Sequence, residues 1–260
     1  MILLWNHSHG KHERQDLVVC HPLAIPESWE ESEMIENGWL ALDRPVYVEG
    51  RWQEVFYQSR STRFRLRKHH TPHNQKPLLY KGKTIQMMEI VPEKNFLRWT
   101  GLQKVYDTYL KRTGFRNKQN PLTHISERDT FILYYIDEIT NLIGFTKIKR
   151  YWYQEELLSL NHTIRNREQI KDDCMAIESV IHANTVPIAK TVLEMELAWA
   201  KRKNASYFYM GSGYERSSIY RSTMPGFQWW TGVTWSSSCK QYQKLCERDS
   251  KTKMIRDIKN

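Results

Sequence analysis

The feature that most constrains the fold is an amphipathic helix that a β-strand follows at once. Its apolar residues recur at spacings of four, three and four residues, as one face of a helix requires: Ile188, Val192, Met195 and Trp199. Segment 184–187, Asn-Thr-Val-Pro, supplies cap residues and the early proline that helix starts prefer. The strand follows over 206–211, so the fold must combine both element types.

The segments on either side extend this mixed pattern. A helix is predicted over 92–114, because apolar residues recur there at helical spacings and Gly114 can end it. Further strands are predicted over 131–136, 142–153, 157–164, 175–182 and 227–235, and a short helix over 215–222. We therefore predict an α+β (α/β three-layer) fold with a central mixed, mostly antiparallel sheet flanked by helices.

This order of elements is similar to that of GNAT-type acyltransferases. In that fold one central strand splays from its neighbour and opens a cleft for an acyl donor, and the strand over 175–182 is the one expected to splay. The similarity predicts three regions: a β-containing basic region over 1–90, a GNAT-like domain over 91–240 and a charged tail over 241–260.

The charge of the chain suggests an anionic partner. Lys and Arg number 39 against 29 Asp and Glu, which gives a net charge of +10. The densest cluster lies over 60–70, where Arg63, Arg65 and Arg67 alternate with Phe64 and Leu66. A period of two predicts a strand with one cationic and one apolar face.

Other chemistry receives little support from the sequence. The four cysteines are scattered without a Cys-x-x-Cys pair, so we expect no metal and no cofactor. No apolar run has the ~18 residues of a membrane span, and the start is too short for a signal sequence. We expect a cytoplasmic protein without membrane contact. Acyl-CoA enzymes of the GNAT type hold the pyrophosphate in a glycine-rich loop, but segment 182–188 has no glycine and contains Pro187.

A more specific resemblance lies in the strand after the long helix. Its Tyr-Phe-Tyr-Met-Gly, over 207–211, resembles the Tyr-Tyr-Tyr-Met-Gly signature of the arginyl- and leucyl-tRNA–protein transferases. The Phe- and Tyr-bearing helix over 96–110 is similar to the one that opens their catalytic domain, and Asn37-Gly-Trp with Phe56-Tyr is similar to their N-terminal start. The family's cysteine cluster and its Asp-Pro after the splayed strand are missing; Asn184-Thr stands at the latter place.

The resemblance implies an aminoacyl-tRNA donor and an amine acceptor, which is a protein N-terminus, a peptide or a small amine. Glu178, His182 and Tyr209 are the catalytic candidates, since a base must deprotonate the amine. The substrate-binding candidates are Tyr207, Gly211, Tyr214, Trp229, Trp230 and Asn161. The candidates for tRNA phosphate contact are Arg60, Arg63, Arg65, Arg67 and Lys68.

A purely structural role stays open as the alternative for the acidic, histidine and aromatic candidates. Glu178 would then be an exposed strand glutamate and His182 a surface histidine, while the tyrosines and tryptophans would pack in the core. Two other functions also fit the sequence. An acyl-CoA-dependent N-acyltransferase would use the same fold, and a non-catalytic RNA-binding module would use the same arginines and aromatic residues.

Overall fold

The computed structural model describes residues 2–12, 17–27, 30–42, 45–66, 77–91, 101–113, 120, 122–123, 125, 129–137, 141–151, 176–214 and 216–251. The strands are β1 (Ile2–His12), β2 (Leu17–Ile25), β3 (Trp39–Ala41), β4 (Val46–Val48), β5 (Arg51–Gln53), β6 (Phe56–Gln58), β7 (Ser61–Arg65), β8 (Leu79–Tyr80), β9 (Lys83–Ile90), β10 (Thr130–Ile136), β11 (Leu142–Tyr151), β12 (Ala176–Asn184), β13 (Tyr207–Ser212), β14 (Phe227–Trp230) and β15 (Trp235–Ser236). The helices are α1 (Glu31–Glu36), α2 (Leu102–Thr113), α3 (Ala189–Arg202) and α4 (Cys239–Asp249), with a 3-10 helix, η1, at Arg216–Thr223.

A nine-stranded mixed sheet organises the molecule, in the order β15-β14-β7-β13-β12-β11-β10-β9-β8. All neighbours in it are antiparallel except β12 and β13, which run parallel. Parallel neighbours need a crossover, and α3 supplies it. The predicted α+β class with a mixed, mostly antiparallel sheet is therefore confirmed. A four-stranded small sheet, β1-β2-β6-β3, and the hairpin β4-β5 complete the strands.

Apolar clusters cover both faces of the large sheet. On one face Val192 and Leu193 of α3 pack in one cluster with Ile177 and Phe208. On the other face α2 packs against β10 through Leu102, while strands β3 and β6 of the small sheet pack over β12 and β13. We call these the α3 face and the small-sheet face. No helix within the described ranges is long and apolar enough to cross a membrane.

The boundary predicted at residue 90 does not divide the large sheet. Strands β7, β8 and β9 precede that residue and belong to this sheet, and β7 lies in its interior between β13 and β14. Phe64 of β7 is fully buried there. The segment predicted as a charged tail also packs inward, because Tyr242 and Cys246 of α4 are fully buried.

The local predictions succeed more often than the predicted ends of elements. The hairpin β10-β11, the strand β12 and the helix α3 all form, and α2 lies inside the helix predicted over 92–114. The predicted cap of α3 is wrong: the helix begins at Ala189, and Ile188 caps it without a side-chain hydrogen bond. Asn184 instead ends β12, and Thr185 donates its hydroxyl to the Ile143 carbonyl over 3.0 Å. The strand predicted over 157–164 lies outside the described residues.

Candidate functional site

One polar residue from each of five adjacent strands lies side by side across the large sheet. In the order β11, β12, β13, β7, β14 they are Lys149, Glu178, Tyr209, Arg63 and Gln228. Directly opposed residues of a ladder point to the same side, and this side is the small-sheet face, where Tyr209 packs. We call these five residues the polar row.

Glu178 is the carboxylate of the polar row and is buried, with 1% of its surface exposed. The Tyr151 hydroxyl donates to Glu178 Oε2 over 2.6 Å, and the N–H of Ala41 in β3 donates to both carboxylate oxygens over 3.1 and 3.3 Å. Burial raises the pKa of Glu178 to about 7, although these hydrogen bonds and the Lys149 charge lower it. A carboxyl group with this pKa can give or take a proton at neutral pH.

Arg63 is buried, and protein groups surround its guanidinium. It lies 4.1 Å from the ring centroid of Tyr207 and 4.0 Å from that of Trp235. Its Nε donates to Gln228 over 2.9 Å and its Nη1 donates to the Tyr209 hydroxyl over 3.1 Å. Weak hydration and a flat shape let a guanidinium occupy such a stacked site.

Arg63, which the sequence places on the cationic face of this strand, is therefore not open to solvent, and Arg60, another candidate for phosphate contact, is buried as well. Arg60 is 2% exposed and pairs with Asp249 of α4 over 2.5 Å. The strand places Arg63 inside the sheet because its neighbours β13 and β14 bring aromatic and amide partners to it. Arg65 is exposed, whereas Arg67 and Lys68 lie outside the described residues.

The parallel strands β12 and β13 separate just beyond the polar row. They pair only at Ala176–Tyr207, Ile177–Phe208 and Glu178–Tyr209. Each strand then carries a bulge: Val180 is the extra residue opposite Lys147 and Ile148, and the β13 pairing with β7 shifts between Tyr209 and Ser212. Bulges bend the strand that carries them, so β12 stays with β11 while β13 stays with β7. We call the space beyond the last shared pair the strand opening.

Two arginines satisfy backbone carbonyls at the strand opening. On the β13 side Arg221 Nη1 donates to the carbonyls of Met210 and Ser212 over 2.6 and 2.9 Å. On the β12 side Arg112 donates to the Asn184 carbonyl through Nε and Nη2, over 3.1 and 3.0 Å. Thr62 Oγ1 also donates to the Met210 carbonyl over 2.7 Å, so side chains supply hydrogen-bond partners to these backbone carbonyls. The result is a cationic opening with one arginine on each side.

His182 and Glu196 form a second polar centre, on the α3 face of β12. Glu196 is fully buried, accepts a hydrogen bond from Tyr134 Oη over 2.6 Å and accepts another from Thr146 Oγ1. His182 stacks on the Tyr134 ring, and its Nδ1 lies 4.0 Å from Glu196 Oε2. Burial lowers the pKa of His182; the Glu196 charge opposes this shift, and Arg221 and Arg112 add to it. This shift favours the neutral imidazole.

The structure brings two of the three predicted catalytic residues together and separates the third. Glu178 and Tyr209 are directly opposed in the last shared pair of β12 and β13. A strict period of two would place His182 on the same side as Glu178. The bulge at Val180 changes the alternation, so Glu178 contacts β3 and His182 contacts the groups beneath α3.

The predicted substrate-binding aromatics mostly have packing roles. Trp229 is 3% exposed and stacks near Tyr242 in the core, and Trp230 is 6% exposed and contacts Gly38. Tyr214 is 9% exposed and its hydroxyl accepts the Arg60 N–H over 2.8 Å. Both tryptophans are buried, as the core alternative expects.

The other substrate-binding candidates have different surroundings. Tyr207 is half-buried against Arg63. Gly211 has a φ of +55° in the β13 bulge. Asn161 lies outside the described residues.

Sequence reasoning missed Glu196, Arg112 and Arg221. Glu196 had a signal, because it follows Val192 by four residues and precedes Trp199 by three, on the apolar stripe of α3. A carboxylate at such a position faces the core and needs polar partners there. Arg112 and Arg221 had no such signal in the sequence, because their contacts depend on how β12 and β13 are arranged.

Among the residues that the structure describes, no three His, Cys, Asp or Glu side chains come together as a metal site. Compared with models of known protein families and with curated protein sequences, the chain matches neither.

Proposed function

We propose that this protein is an aminoacyltransferase of GNAT-like fold, which moves an amino acid from aminoacyl-tRNA to a primary amine. The observation that carries the proposal is the β12–α3–β13 unit. Its parallel strands share three residue pairs and then diverge, next to a neutral histidine and two arginines. Such an opening can admit an extended acyl donor between two strands. The reaction belongs in the cytoplasm, where charged tRNA occurs.

The backbone before α3 favours tRNA over CoA as donor. A pyrophosphate site needs several backbone N–H groups at the start of a helix. Here the N–H of Thr185 donates to Ile143 and that of Ile188 donates to Val186, over 2.7 and 2.9 Å. Pro187 has no N–H. Three N–H positions of the loop before α3 are therefore not open to a pyrophosphate, and the net charge of +10 suits a polyanion. Exposed Arg65 is the described residue that we propose for phosphate contact.

The chemistry begins from an activated ester. The amine nitrogen attacks the ester carbonyl carbon, the new C–N bond forms, and the carbonyl oxygen becomes an oxyanion. His182 removes one amine proton and returns it to the ribose oxygen as the C–O bond breaks. The positive charges of half-buried Arg221 and of exposed Arg112 stabilise the oxyanion, because both guanidinium groups are already held in place by backbone carbonyls.

Two groups compete for the role of base, and a pH–rate profile separates them. If Glu178 is the base, kcat/KM falls below a pH near 7, and Glu178→Gln abolishes that dependence. If His182 is the base, the rate falls only below its usual pKa of 6.5, because burial lowers the pKa. We expect the second result, since Glu178 is covered by β3.

The test is transfer from a pool of labelled aminoacyl-tRNAs to protein and small-amine acceptors. We expect one amino acid to be transferred, and His182→Gln to slow transfer about 10²–10⁴-fold. Glu89→Gln is the matched control, because Glu89 also contacts α3, through Trp199 and Lys203. Absence of transfer from every charged tRNA contradicts the proposal.

Two further outcomes identify the alternative functions. A rise in melting temperature with acetyl-CoA, without transfer from tRNA, identifies an acyl-CoA enzyme. Equal binding of charged and uncharged tRNA, without turnover, identifies an RNA-binding module.

A further inference from the structure

Three buried polar atoms, two near the end of β12 and one on α3, have no hydrogen-bond partner among the described residues. They are Glu196 Oε2, His182 Nε2 and Asn184 Oδ1. His182 and Asn184 are two residues apart on β12, and Glu196 Oε2 of α3 lies 4.0 Å from His182 Nδ1. Buried polar groups are nearly always hydrogen-bonded, so three together call for a ligand.

Of the three residues, Glu196 has the greatest need of a further hydrogen-bonding partner. Tyr134 and Thr146 both donate to its Oε1, whereas its Oε2, within the part of the chain that the structure describes, has no hydrogen-bond partner and lies 4.0 Å from His182 Nδ1. The side chain is fully buried. An incompletely paired carboxylate is costly in such a place, and a cation removes that cost.

The position of Asn184 depends on the absence of a side chain opposite it. Gly144 of β11 is its partner in the ladder, and a Cβ there would lie 2.1 Å from Asn184 Oδ1. The glycine therefore lets the amide lie across β11. Tyr134 pairs with Gly144 on the far side, and its ring reaches His182.

We propose that Glu196, His182 and Asn184 form a subsite for a primary ammonium group next to a carbonyl. Three acceptor atoms match the three protons of an ammonium group, and the carboxylate supplies the counter-charge. Arg112 also lies at this region, since it donates to the Asn184 carbonyl, and its charge and that of Arg221 lower the pKa of His182. They disfavour a simple alkylammonium and favour an amine that carries an electronegative oxygen beside it.

This inference rests on the proposed function in one respect: both substrates of that reaction contain this group. The aminoacyl ester carries an α-amine beside its carbonyl, and so does a peptide N-terminus. The three residues would place the amine where His182 can take its proton. The ligand class itself follows from the acceptor atoms.

The test measures binding without transfer. Glycinamide serves as the acceptor-like probe and an amide-linked 3′-aminoacyl adenosine as the donor-like probe. Ethylamine and the trimethylammonium analogue of glycinamide are the comparison compounds. We expect one or both primary probes to raise the melting temperature of the full chain in a saturable way, and the comparison compounds to bind more weakly. The stronger probe identifies the source of the ammonium group.

Variants separate this role from a structural one. Glu196→Gln keeps acceptors for Tyr134 and Thr146, so we expect an equal or higher melting temperature without ligand and binding weaker by on the order of tenfold. Asn184→Ala should also weaken binding, and Glu89→Gln should not. Equal binding by wild type and Glu196→Gln, or no binding by wild type, overturns the subsite. Normal binding without any transfer from tRNA overturns the proposed function alone.

Discussion

Replacing Glu178 by Gln should change the pH dependence of stability. Below its usual pKa of 4.5 the carboxyl group is protonated in both the folded and the unfolded chain. Burial raises the pKa in the folded chain to about 7, so between these values folding requires the uptake of a proton. The stabilisation is present in full below pH 4.5 and is lost as the pH rises through 7.

The size of the effect follows from the two pKa values. Each pH unit between 4.5 and 7 removes about 1.4 kcal/mol of the free energy of unfolding. The whole interval therefore removes about 3 kcal/mol. Gln resembles the protonated acid and does not titrate. The variant should thus gain about 3 kcal/mol relative to wild type between pH 4.5 and pH 8, and other titrating groups cancel in the comparison.

Urea unfolding, followed by tryptophan fluorescence at a series of pH values, measures this difference. Tyr151→Phe provides a second test, because it removes a hydrogen bond that favours the ionised carboxylate. The pH at which stability changes should then rise above that of wild type. A stability difference between wild type and Glu178→Gln that does not vary with pH refutes the reasoning. A variant that loses stability at pH 8 refutes it as well, because the carboxylate would then be well stabilised as an ion.

Two further predictions concern how distant segments pack. Asp249→Asn should lower the free energy of unfolding by about 3–5 kcal/mol, because it leaves buried Arg60 without its counter-ion, whereas exposed Glu247→Gln on the same helix should change it little. Gly38→Ala should cost about 2–5 kcal/mol, because φ is +78° and the new Cβ would lie 2.3 Å from Trp230. Gly50→Ala, at φ +80° with open space around it, isolates the backbone contribution, and similar thermal melts for both glycine variants would contradict a clash.

The elements that the sequence predicts well are those whose pattern is local. The hairpin β10-β11 and the unit β12–α3–β13 follow from apolar periodicity and turn residues within each segment. The position of β7 does not follow from periodicity. Alternation of Arg and Phe looks the same in a solvated edge strand and in an interior strand whose arginine meets Tyr209 and Gln228.

Part of the candidate site could also be predicted from the sequence, because it depends on local patterns. Glu178 and Tyr209 could be chosen from their places on two predicted strands, and those strands pair. The separation of Glu178 from His182 depends on the bulge at Val180, which arises from pairing with β11 and leaves no mark in the sequence. Arg112 and Arg221 donate to backbone carbonyls of β12 and β13 that are distant in sequence or in structure from any local pattern around the arginines.

The interior position of β7 bears on how the chain reaches its native state. Arg63 and Gln228 are hydrogen-bonded neighbours in the sheet, yet 165 residues separate them along the chain. During synthesis β7 leaves the ribosome long before β13 and β14 exist. Its two edges therefore lack these hydrogen-bonding partners, and Phe64 lacks its packing partners on them, until both strands have been made. Pairing at such separation is slow because a large loop must close first. Completion of the sheet, and with it the strand opening, therefore belongs to the last stage of folding.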